Sequence, residues 1–317
     1  MKAAIVTEKG TTPIYSTFEE PESKEQNVLV NVKASALSNL TKMRAMGNHY
    51  SAGHVYPNVA GTDGVGEVNG QRIYFLATNA PYGSLAEQTL INEHLMVPLP
   101  DGIDDVTAAA IANPGMSSWA ALVSRAHFQA GQTVLINGAT GTAGSLAVKI
   151  AYHLGAKKII VTGRNAVKLA KLEADEAIAF DMSKADGAKK FTDDLAEVFK
   201  AGVDVVLDYL WGDSALAIMT AVAQFGGHHV TKFVSIGASA GKGDIALPSA
   251  ILRSSAIEIL GSGVKSATMP ELLSAINGVF EWAAEEKIVM SVNEFGLEDI
   301  EQAWQAPLNP RAVVVMK

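Results

Sequence analysis

The 317-residue sequence contains no cysteine. This absence excludes disulfides, thiolate nucleophiles, iron–sulfur clusters and every zinc site that uses a cysteine ligand. Seven histidines are present, but none has the HExxH-type spacing that places two zinc ligands on one helix face. We therefore expect no bound metal.

Long apolar runs and an excess of positive charge are also missing. No uninterrupted apolar stretch approaches the ~18 residues that a membrane helix needs, and residues 1–9 lack the apolar core of a signal peptide. The formal net charge of -8 argues against broad binding to nucleic acids or anionic membranes, which favour basic surfaces. These features predict a cytoplasmic protein that binds neither nucleic acids nor membranes.

The first part of the chain, to residue 112, contains short β-like runs separated by turn residues. Alternation of apolar and polar residues predicts a strand over 28–34 and a hairpin over 66–75 around an Asn-Gly turn. A helix is expected over 40–47, and the glycines of 57–66 predict a loop. This part indicates a compact β-rich domain, and the length of the chain leaves room for about one more.

The following part alternates β-like runs with helix-like stretches, which requires a parallel sheet because parallel strands need helical crossovers. A last strand over 311–316 is expected to return to the first domain. The predicted strands of the second part are 133–137, 158–162, 177–180, 203–208 and 233–237, and the helices between them are 143–154, 165–173, 186–200 and 214–224.

The turn after the first of these strands carries the chemistry. It contains Gly138, Gly141 and Gly144 and opens a helix. Glycines let the backbone approach a pyrophosphate, and the helix amino terminus offers amide groups and positive partial charge to it. The spacing is not the strict G-x-G-x-x-G, so an ordinary tight turn without a ligand remains the alternative.

The end of the second strand indicates which dinucleotide binds. An NAD site would place an acidic residue about 20 residues after the glycines, to hold the ribose 2′-hydroxyl. Here Gly163 is followed by Arg164 and Lys168, and no acid occurs before Glu173. Arg164 and Lys168 could hold a 2′-phosphate, which favours NADPH. The alternative is that both are solvated surface cations.

The run from Thr133 to Lys171 resembles the medium-chain dehydrogenase/reductase superfamily, and more narrowly its zinc-independent quinone oxidoreductase and enone reductase branch. Lys2–Val6, Pro57–Gly66 and Leu260–Gly263 are similar to further segments of that family. The zinc branch carries a Gly-His-Glu motif, where this sequence reads Gly61-Thr62-Asp63-Gly64. The resemblance implies a Rossmann doubly wound parallel sheet domain that binds NADP over 115–263. It also implies a β-rich GroES-like substrate domain from 1–114 and 264–317.

The resemblance also assigns cofactor contacts. Asn309 is matched to an asparagine at the cofactor ribose, although a turn residue before a strand is an equal alternative. The other implied contacts are Gly138, Gly141, Thr142, Ala143 and Gly144 at the pyrophosphate, Gly163, Arg164 and Lys168 at the adenosine ribose, and Tyr209, Ile236, Gly237, Ala238, Gly263 and Val264 towards the nicotinamide.

The sequence departs from the family at Ser38, Met43 and Phe180, where many relatives have Asn, Tyr and Tyr. These departures leave the substrate class open. Without zinc, hydride transfer requires an electron-poor small molecule such as a quinone or an α,β-unsaturated carbonyl. Ser38, Asn39 and Tyr50 are the candidate donors near the developing oxyanion, and water could also deliver the proton.

Two other functions remain as alternatives. One is an NADPH-binding redox sensor or structural relative without turnover. The other is an ordinary zinc-dependent dehydrogenase, which would need stoichiometric zinc. The family resemblance also implies a homodimer through an edge strand near residues 258–263.

Overall fold

A computed structural model describes residues 1–23, 26–49, 52 and 55–317. The chain forms two compact units, Met1–Asn113 with Ile276–Lys317 (the first unit) and Pro114–Ala275 (the second unit). Residues 264–275 belong to the second unit because Ala267 and Leu272 pack in a cluster with Ala120. The sequence boundary at residue 264 lies before this segment. The assignment of a substrate domain and a cofactor domain stays a prediction.

The strands and helices of the described residues follow one another along the chain, with a π-helical turn at Ala121–Arg125 and single 3-10 turns at Glu93–Leu95 and Leu297–Asp299. The strands are β1 (Lys2–Val6), β2 (Ile14–Thr17), β3 (Asn27–Ala36), β4 (Asn58–Val59), β5 (Asp63–Val68), β6 (Gln71–Leu76), β7 (Gln88–Asn92), β8 (Met96–Pro98), β9 (Thr133–Asn137), β10 (Lys158–Gly163), β11 (Glu176–Ala179), β12 (Val205–Asp208), β13 (Thr231–Ser235), β14 (Ile257–Gly261), β15 (Val292–Gly296) and β16 (Arg311–Val315). The helices are α1 (Asn39–Ala45), α2 (Asp105–Ala120), α3 (Thr142–His153), α4 (Ala166–Leu169), α5 (Gly187–Asp194), α6 (Ala196–Ala201), α7 (Gly212–Phe225), α8 (Ser249–Ser254), α9 (Met269–Glu285) and α10 (Ile300–Gln305). In the part of the chain that the structure describes, no helix is both long and apolar enough to span a bilayer.

The first unit is built on two sheets, as its β-rich sequence predicts. β2, β1 and β4 form the smaller sheet, and the larger one has the order β15-β16-β3-β5-β6-β8, with β7 also paired to β3. The last strand, β16, pairs antiparallel with β3. Its return to this unit is therefore confirmed. The apolar faces of these strands enclose a core that includes Val30, Phe75, Ile91 and Trp304.

The prediction of a loop over residues 57–66 is wrong. This stretch forms β4 and more than half of β5. Its glycines are required by close packing, because a Cβ on Gly64 would lie 2.8 Å from the Ala34 carbonyl oxygen and one on Gly66 would lie 2.5 Å from that of Asn31. Glycine in this strand therefore marks the approach of β3 and not a chain reversal. The hairpin that follows is confirmed, with β5 and β6 paired antiparallel up to Val68 and Gln71.

The second unit contains a six-stranded sheet in which every neighbouring pair is parallel. The strand order is β11-β10-β9-β12-β13-β14. Numbered from β9, this is the 3-2-1-4-5-6 order of doubly wound dinucleotide-binding domains, with helices as the crossovers. The predicted parallel sheet is confirmed. The central strands β9 and β12 are almost continuously apolar because both of their faces are covered.

Two predicted helices of this unit differ from the structure. The helix expected over 165–173 is the single turn α4, because Asp175 ties the following segment to β10. The carboxylate of Asp175 accepts hydrogen bonds from the Ile159 amide and the Tyr152 hydroxyl, each at 2.7 Å. The helix expected over 186–200 is divided into α5 and α6 at Leu195. Leu195 is itself fully buried and contributes to the core beneath both helices.

Candidate cofactor site

The glycine turn between β9 and α3 is the candidate cofactor-binding element. Gly138 has φ +90°, a conformation that favours glycine. A Cβ on Gly144 would lie 2.5 Å from the Gly138 carbonyl oxygen, so α3 packs too closely on the turn for any side chain. A Cβ on Gly141 would meet that oxygen at 3.7 Å and nothing nearer. The missing side chain of Gly141 therefore leaves an open approach to the backbone.

The amino terminus of α3 follows this turn directly. The helix has 12 residues and begins after Gly141, which has no side chain to cap it. Amides in the first turn of an α-helix have no acceptor within the helix, and the helix dipole adds partial positive charge there. This terminus, formed by Gly141, Thr142, Ala143 and Gly144, is suited to a pyrophosphate.

Beneath the turn, hydrogen bonds join the carboxyl ends of three neighbouring strands. The side-chain Nδ2 of Asn137 donates to Asp208 Oδ1 at 2.8 Å and to Ser214 Oγ at 3.0 Å. Thr162 Oγ1 donates to Asn137 Oδ1 at 2.8 Å. Asn137, Thr162 and Asp208 are fully buried. The network fixes β9, β10 and β12 at the point where the strand order reverses, which is where this fold binds ligands.

Asp208 also holds the segment that leads into α7. Its Oδ1 accepts a hydrogen bond from the Leu210 amide at 3.2 Å, and its Oδ2 accepts one from the Trp211 amide at 3.0 Å. Trp211 has φ +60°, which is strained for a large side chain. Burial raises the pKa of Asp208 to about 6, although hydrogen bonds from Asn137 and the two amides oppose the shift.

No sequence pattern points to this network. Asn137 and Asp208 are 71 residues apart and meet through the parallel pairing of β9 with β12. The available signal is weak: each is a polar residue that ends a buried strand of a predicted parallel sheet. Such positions share one edge of the sheet, which is where side chains from distant segments meet.

The residues expected at the adenosine ribose lie at the end of β10. The Gly163 carbonyl accepts a hydrogen bond from the Phe180 amide at 3.0 Å. Arg164 and Lys168 are both exposed. The Lys168 amide donates to Asn165 Oδ1 at 3.0 Å, which caps the turn α4. Two cations therefore stand in solvent after the same strand, and their binding of a phosphate stays a prediction.

Tyr209 follows β12 and is buried in the second unit. Its hydroxyl lies 2.7 Å from Ser118 Oγ, and burial raises its pKa well above the ordinary value. The Tyr209 carbonyl accepts hydrogen bonds from the Ser239 amide at 3.1 Å and the Ser239 hydroxyl at 2.8 Å. A Cβ on Gly237 would lie 3.0 Å from the same carbonyl. The backbone of Tyr209 therefore supports the segment that is predicted to contact the nicotinamide, while its side chain is buried and its hydroxyl contacts Ser118.

The other expected contacts towards the nicotinamide follow β13 and β14. Ile236 and Gly263 are partly exposed, and Ala238 and Val264 are exposed. The Ser262 amide donates to the Ser235 carbonyl at 2.8 Å, so the two chain segments stay paired past the end of β14. All of them lie after carboxyl ends of the parallel sheet, as the glycine turn does. Their contacts with a cofactor stay predictions.

The described donor candidates, Ser38 and Asn39, and also Asn309 belong to the first unit. Ser38 is buried and caps α1, where its Oγ accepts from the Thr41 amide at 3.0 Å and lies 2.9 Å from Thr41 Oγ1. Asn39 and Asn309 are exposed. Tyr50 lies outside the described residues. The hydroxyl of Ser38 is thus engaged within its own helix, whereas the amide of Asn39 faces solvent.

Asp63 stands where the zinc branch carries its Gly-His-Glu motif, and it is fully buried. Its Oδ1 accepts a hydrogen bond from Thr62 Oγ1 at 2.5 Å, and its Oδ2 accepts one from the Tyr74 hydroxyl at 2.8 Å. Burial raises the pKa of Asp63, against the hydrogen bonds and the charges of Arg311 and Arg44. Among the residues that the structure describes, no three His, Asp or Glu side chains are grouped as metal ligands.

Comparisons with known proteins agree with this fold. The family model described as zinc-binding dehydrogenase matches residues 143–278. A probable NADPH-dependent quinone reductase of Emericella nidulans is 26% identical over 96% of each chain. An NADPH-dependent alkenal/one oxidoreductase of Arabidopsis thaliana is 30% identical over 66% of this chain and 57% of its own length.

A solved structure gives the same result for the fold. The quinone oxidoreductase of Thermus thermophilus, determined also as a complex with NADPH, has a TM-score of 0.76 and 24% identity and covers 99% of this chain. The chain belongs to the medium-chain dehydrogenase/reductase superfamily. Within it, the chain belongs to the quinone oxidoreductase branch. The predicted family and the Rossmann and GroES-like fold class are confirmed.

Proposed function

We propose that the protein is an NADPH-dependent oxidoreductase that transfers hydride to an electron-poor small molecule, either a quinone or an α,β-unsaturated carbonyl. The observation that carries the proposal is the open glycine turn at the amino terminus of α3, at the switch point of a 3-2-1-4-5-6 sheet. The relatives named as NADPH-dependent quinone and alkenal/one reductases support the same cofactor and acceptors.

The residues of the second unit fit a dinucleotide. Gly141 to Gly144 would hold the pyrophosphate through backbone amides, since a Cβ at Gly141 would stand in the approach that the turn leaves open. Arg164 and Lys168 would hold the 2′-phosphate. Asp208 keeps the segment before α7 in place, and the Tyr209 backbone supports the 236–238 segment. When bound, NADPH supplies a hydride from its nicotinamide ring.

We also propose that the reaction needs no zinc. The sequence has no cysteine to serve as a ligand. Each carboxylate oxygen of Asp63 accepts a protein hydrogen bond, so this side chain is committed to Thr62 and Tyr74. Quinones and enones delocalise the incoming negative charge themselves, so positioning and one proton donor are sufficient. Of the described donor candidates, Asn39 is exposed, whereas the Ser38 hydroxyl caps α1.

The bonding of Ser38 also favours a second candidate function. If Asn39 and Tyr50 do not donate to the developing oxyanion and water delivers no proton, the protein would bind NADPH as a redox sensor or a structural relative without turnover. A homodimer through the edge strand β14 and a cytoplasmic location stay predictions.

The test is consumption of NADPH by the purified protein with a panel of quinones and short-chain enones. We expect turnover on at least one of the two classes, and none with simple ketones. Tight binding of NADPH without turnover on either panel would favour the sensor. Failure to bind NADPH or NADH would contradict the proposed function itself.

A further inference from the structure

An acidic residue lies beside Arg164, although it occurs much later in the sequence. β10 and β11 pair in parallel up to Gly163 and Ala179. The Phe180 amide then donates to the Gly163 carbonyl at 3.0 Å, which continues the pairing by one step. In this register Arg164 falls opposite Phe180, and Asp181 is the next residue after Phe180. Arg164 and Asp181 therefore leave the same edge of the sheet at the ends of neighbouring strands, one position apart.

The carboxylate of Asp181 is held in place and ionised. Its Oδ1 accepts hydrogen bonds from the Ser183 hydroxyl at 2.6 Å and the Ser183 amide at 3.0 Å. These hydrogen bonds, followed by the charges of Lys184 and Arg164, lower the pKa of Asp181. Its side chain is half exposed, so a ligand can reach it. A fixed negative charge thus accompanies the cations expected at the adenosine ribose.

We propose that Asp181 is a specificity-determining residue that weakens binding of the 2′-phosphate and keeps NADH usable as a second cofactor. This proposal rests on the proposed function. A 2′-phosphate brings about −1.5 to −2 charges near neutral pH, and the Asp181 carboxylate repels them and competes for the Arg164 guanidinium. The 2′-hydroxyl of NADH is neutral, so the same carboxylate does not repel it.

The consequence is a smaller preference for NADPH than Arg164 and Lys168 would give by themselves. An NAD-type acid is expected about 20 residues after the glycine turn, at the end of the second strand. This chain has cations at that point and an acid on the adjacent strand. The site therefore combines cations, which favour NADPH, with an acid, which favours NADH.

The experiment measures the dissociation constants of NADPH and NADH for the full chain carrying Asp181→Asn. Asparagine keeps an oxygen that can accept from Ser183, and it replaces the other carboxylate oxygen by an uncharged NH2 group. The matched control is Asp193→Asn, which removes an exposed carboxylate on α5 that pairs with Lys189. We expect Asp181→Asn to bind NADPH roughly three- to tenfold more tightly at low salt, with NADH affinity unchanged or lower. The control should leave both constants unchanged.

Salt separates the electrostatic effect from a structural one. The gain of Asp181→Asn should shrink at high ionic strength, because the 2′-phosphate is exposed to screening. If Asp181→Asn unfolds, Asp181→Ser gives the same comparison. NADPH affinity within twofold of the control, or an equal gain for both cofactors, would overturn the proposal. Wild-type protein that binds neither dinucleotide would overturn the proposed function, and this proposal with it.

Discussion

At the scale of single residues, Arg164 decides the expected cofactor. Its guanidinium stands in solvent directly after β10, where it can meet a 2′-phosphate. Arg164→Ala should remove a charge-assisted hydrogen bond of roughly 1.5–3 kcal/mol. NADPH affinity should therefore fall about ten- to hundredfold, with little change for NADH. Titration of the purified variant with both cofactors measures this.

The control for Arg164→Ala is Arg253→Ala, which removes an exposed arginine of α8 and the same unit of charge. It should leave both affinities unchanged. An equal loss of NADPH and NADH binding in Arg164→Ala, or no loss at all, would contradict the assignment of the 2′-phosphate site. The two cations would then be solvated surface residues.

Asp208 gives a prediction about pH. Its pKa of about 6 in the folded protein exceeds the ~3.9 of an exposed aspartate, because burial penalises the charged form. The folded state then keeps a proton that the unfolded chain has released. The resulting stabilisation is complete below about pH 4 and is lost as the pH rises through about 6.

The stability of the Asp208→Asn variant lacks this pH-dependent contribution, because the asparagine side chain does not ionise. The free energy of unfolding of the wild type, minus that of Asp208→Asn, should be larger at pH 5 than at pH 7.5 by about 1 kcal/mol. Urea unfolding at the two pH values measures the difference. A difference that stays constant or grows with pH would mean that Asp208 is already ionised at pH 5 in the folded protein.

At the scale of elements, two glycines of the turn between β9 and α3 have different roles: Gly141 leaves space for the cofactor, and Gly144 allows α3 to pack on the turn. Gly141 has φ −80° and ψ 165°, which any residue adopts, and a Cβ there meets no close atom. Gly141→Val should therefore leave the fold intact and abolish cofactor binding, since the side chain would occupy the pyrophosphate approach. Calorimetric titration with NADPH and a thermal melt test the two halves of this expectation.

Gly144→Ala is the opposite case. Its Cβ would stand 2.5 Å from the Gly138 oxygen and 2.7 Å from Ala139 Cα, so α3 would have to move. We expect a loss of about 1–3 kcal/mol in the free energy of unfolding. Near-normal NADPH affinity in Gly141→Val would show that the phosphate lies elsewhere, whatever Gly144→Ala does to stability.

The elements also show what a sequence can and cannot predict. The strands of the second unit were predictable because buried parallel strands are continuous apolar runs between helix-like stretches. The strand β5 was not predictable, because glycines in a sequence usually indicate a loop. Here they are required by the close approach of β3, which comes from another part of the chain. The glycine turn and Arg164 follow from local spacing. The hydrogen bond of Asn137 with Asp208, and the placement of Arg164 and Asp181 at neighbouring strand ends, arise only when the strands pair.

At the scale of the whole molecule, two facts contrast. The sequence contains no cysteine, yet residues 143–278 match a family model described as zinc-binding dehydrogenase. In the zinc-dependent members, a metal would stabilise the alkoxide that forms when an unactivated ketone accepts hydride. Here the candidate donors are a hydroxyl, an amide and water. The match to this family model and the lack of cysteine ligands are compatible if the chain shares the family's fold and uses acceptors that stabilise the incoming charge themselves.

We therefore expect turnover with a quinone or an enone to survive prolonged treatment with a strong chelator, and the purified protein to hold no stoichiometric zinc. Metal analysis of the protein as purified, and NADPH consumption before and after chelation, measure both. A zinc-dependent relative treated in parallel shows that the chelator is effective. Interconversion of a primary alcohol and its aldehyde, with a rate lost on chelation and restored by zinc, would contradict the metal-free mechanism. The committed oxygens of Asp63 would then have to leave Thr62 and Tyr74 to reach a metal, which a structure of the zinc-loaded protein would reveal.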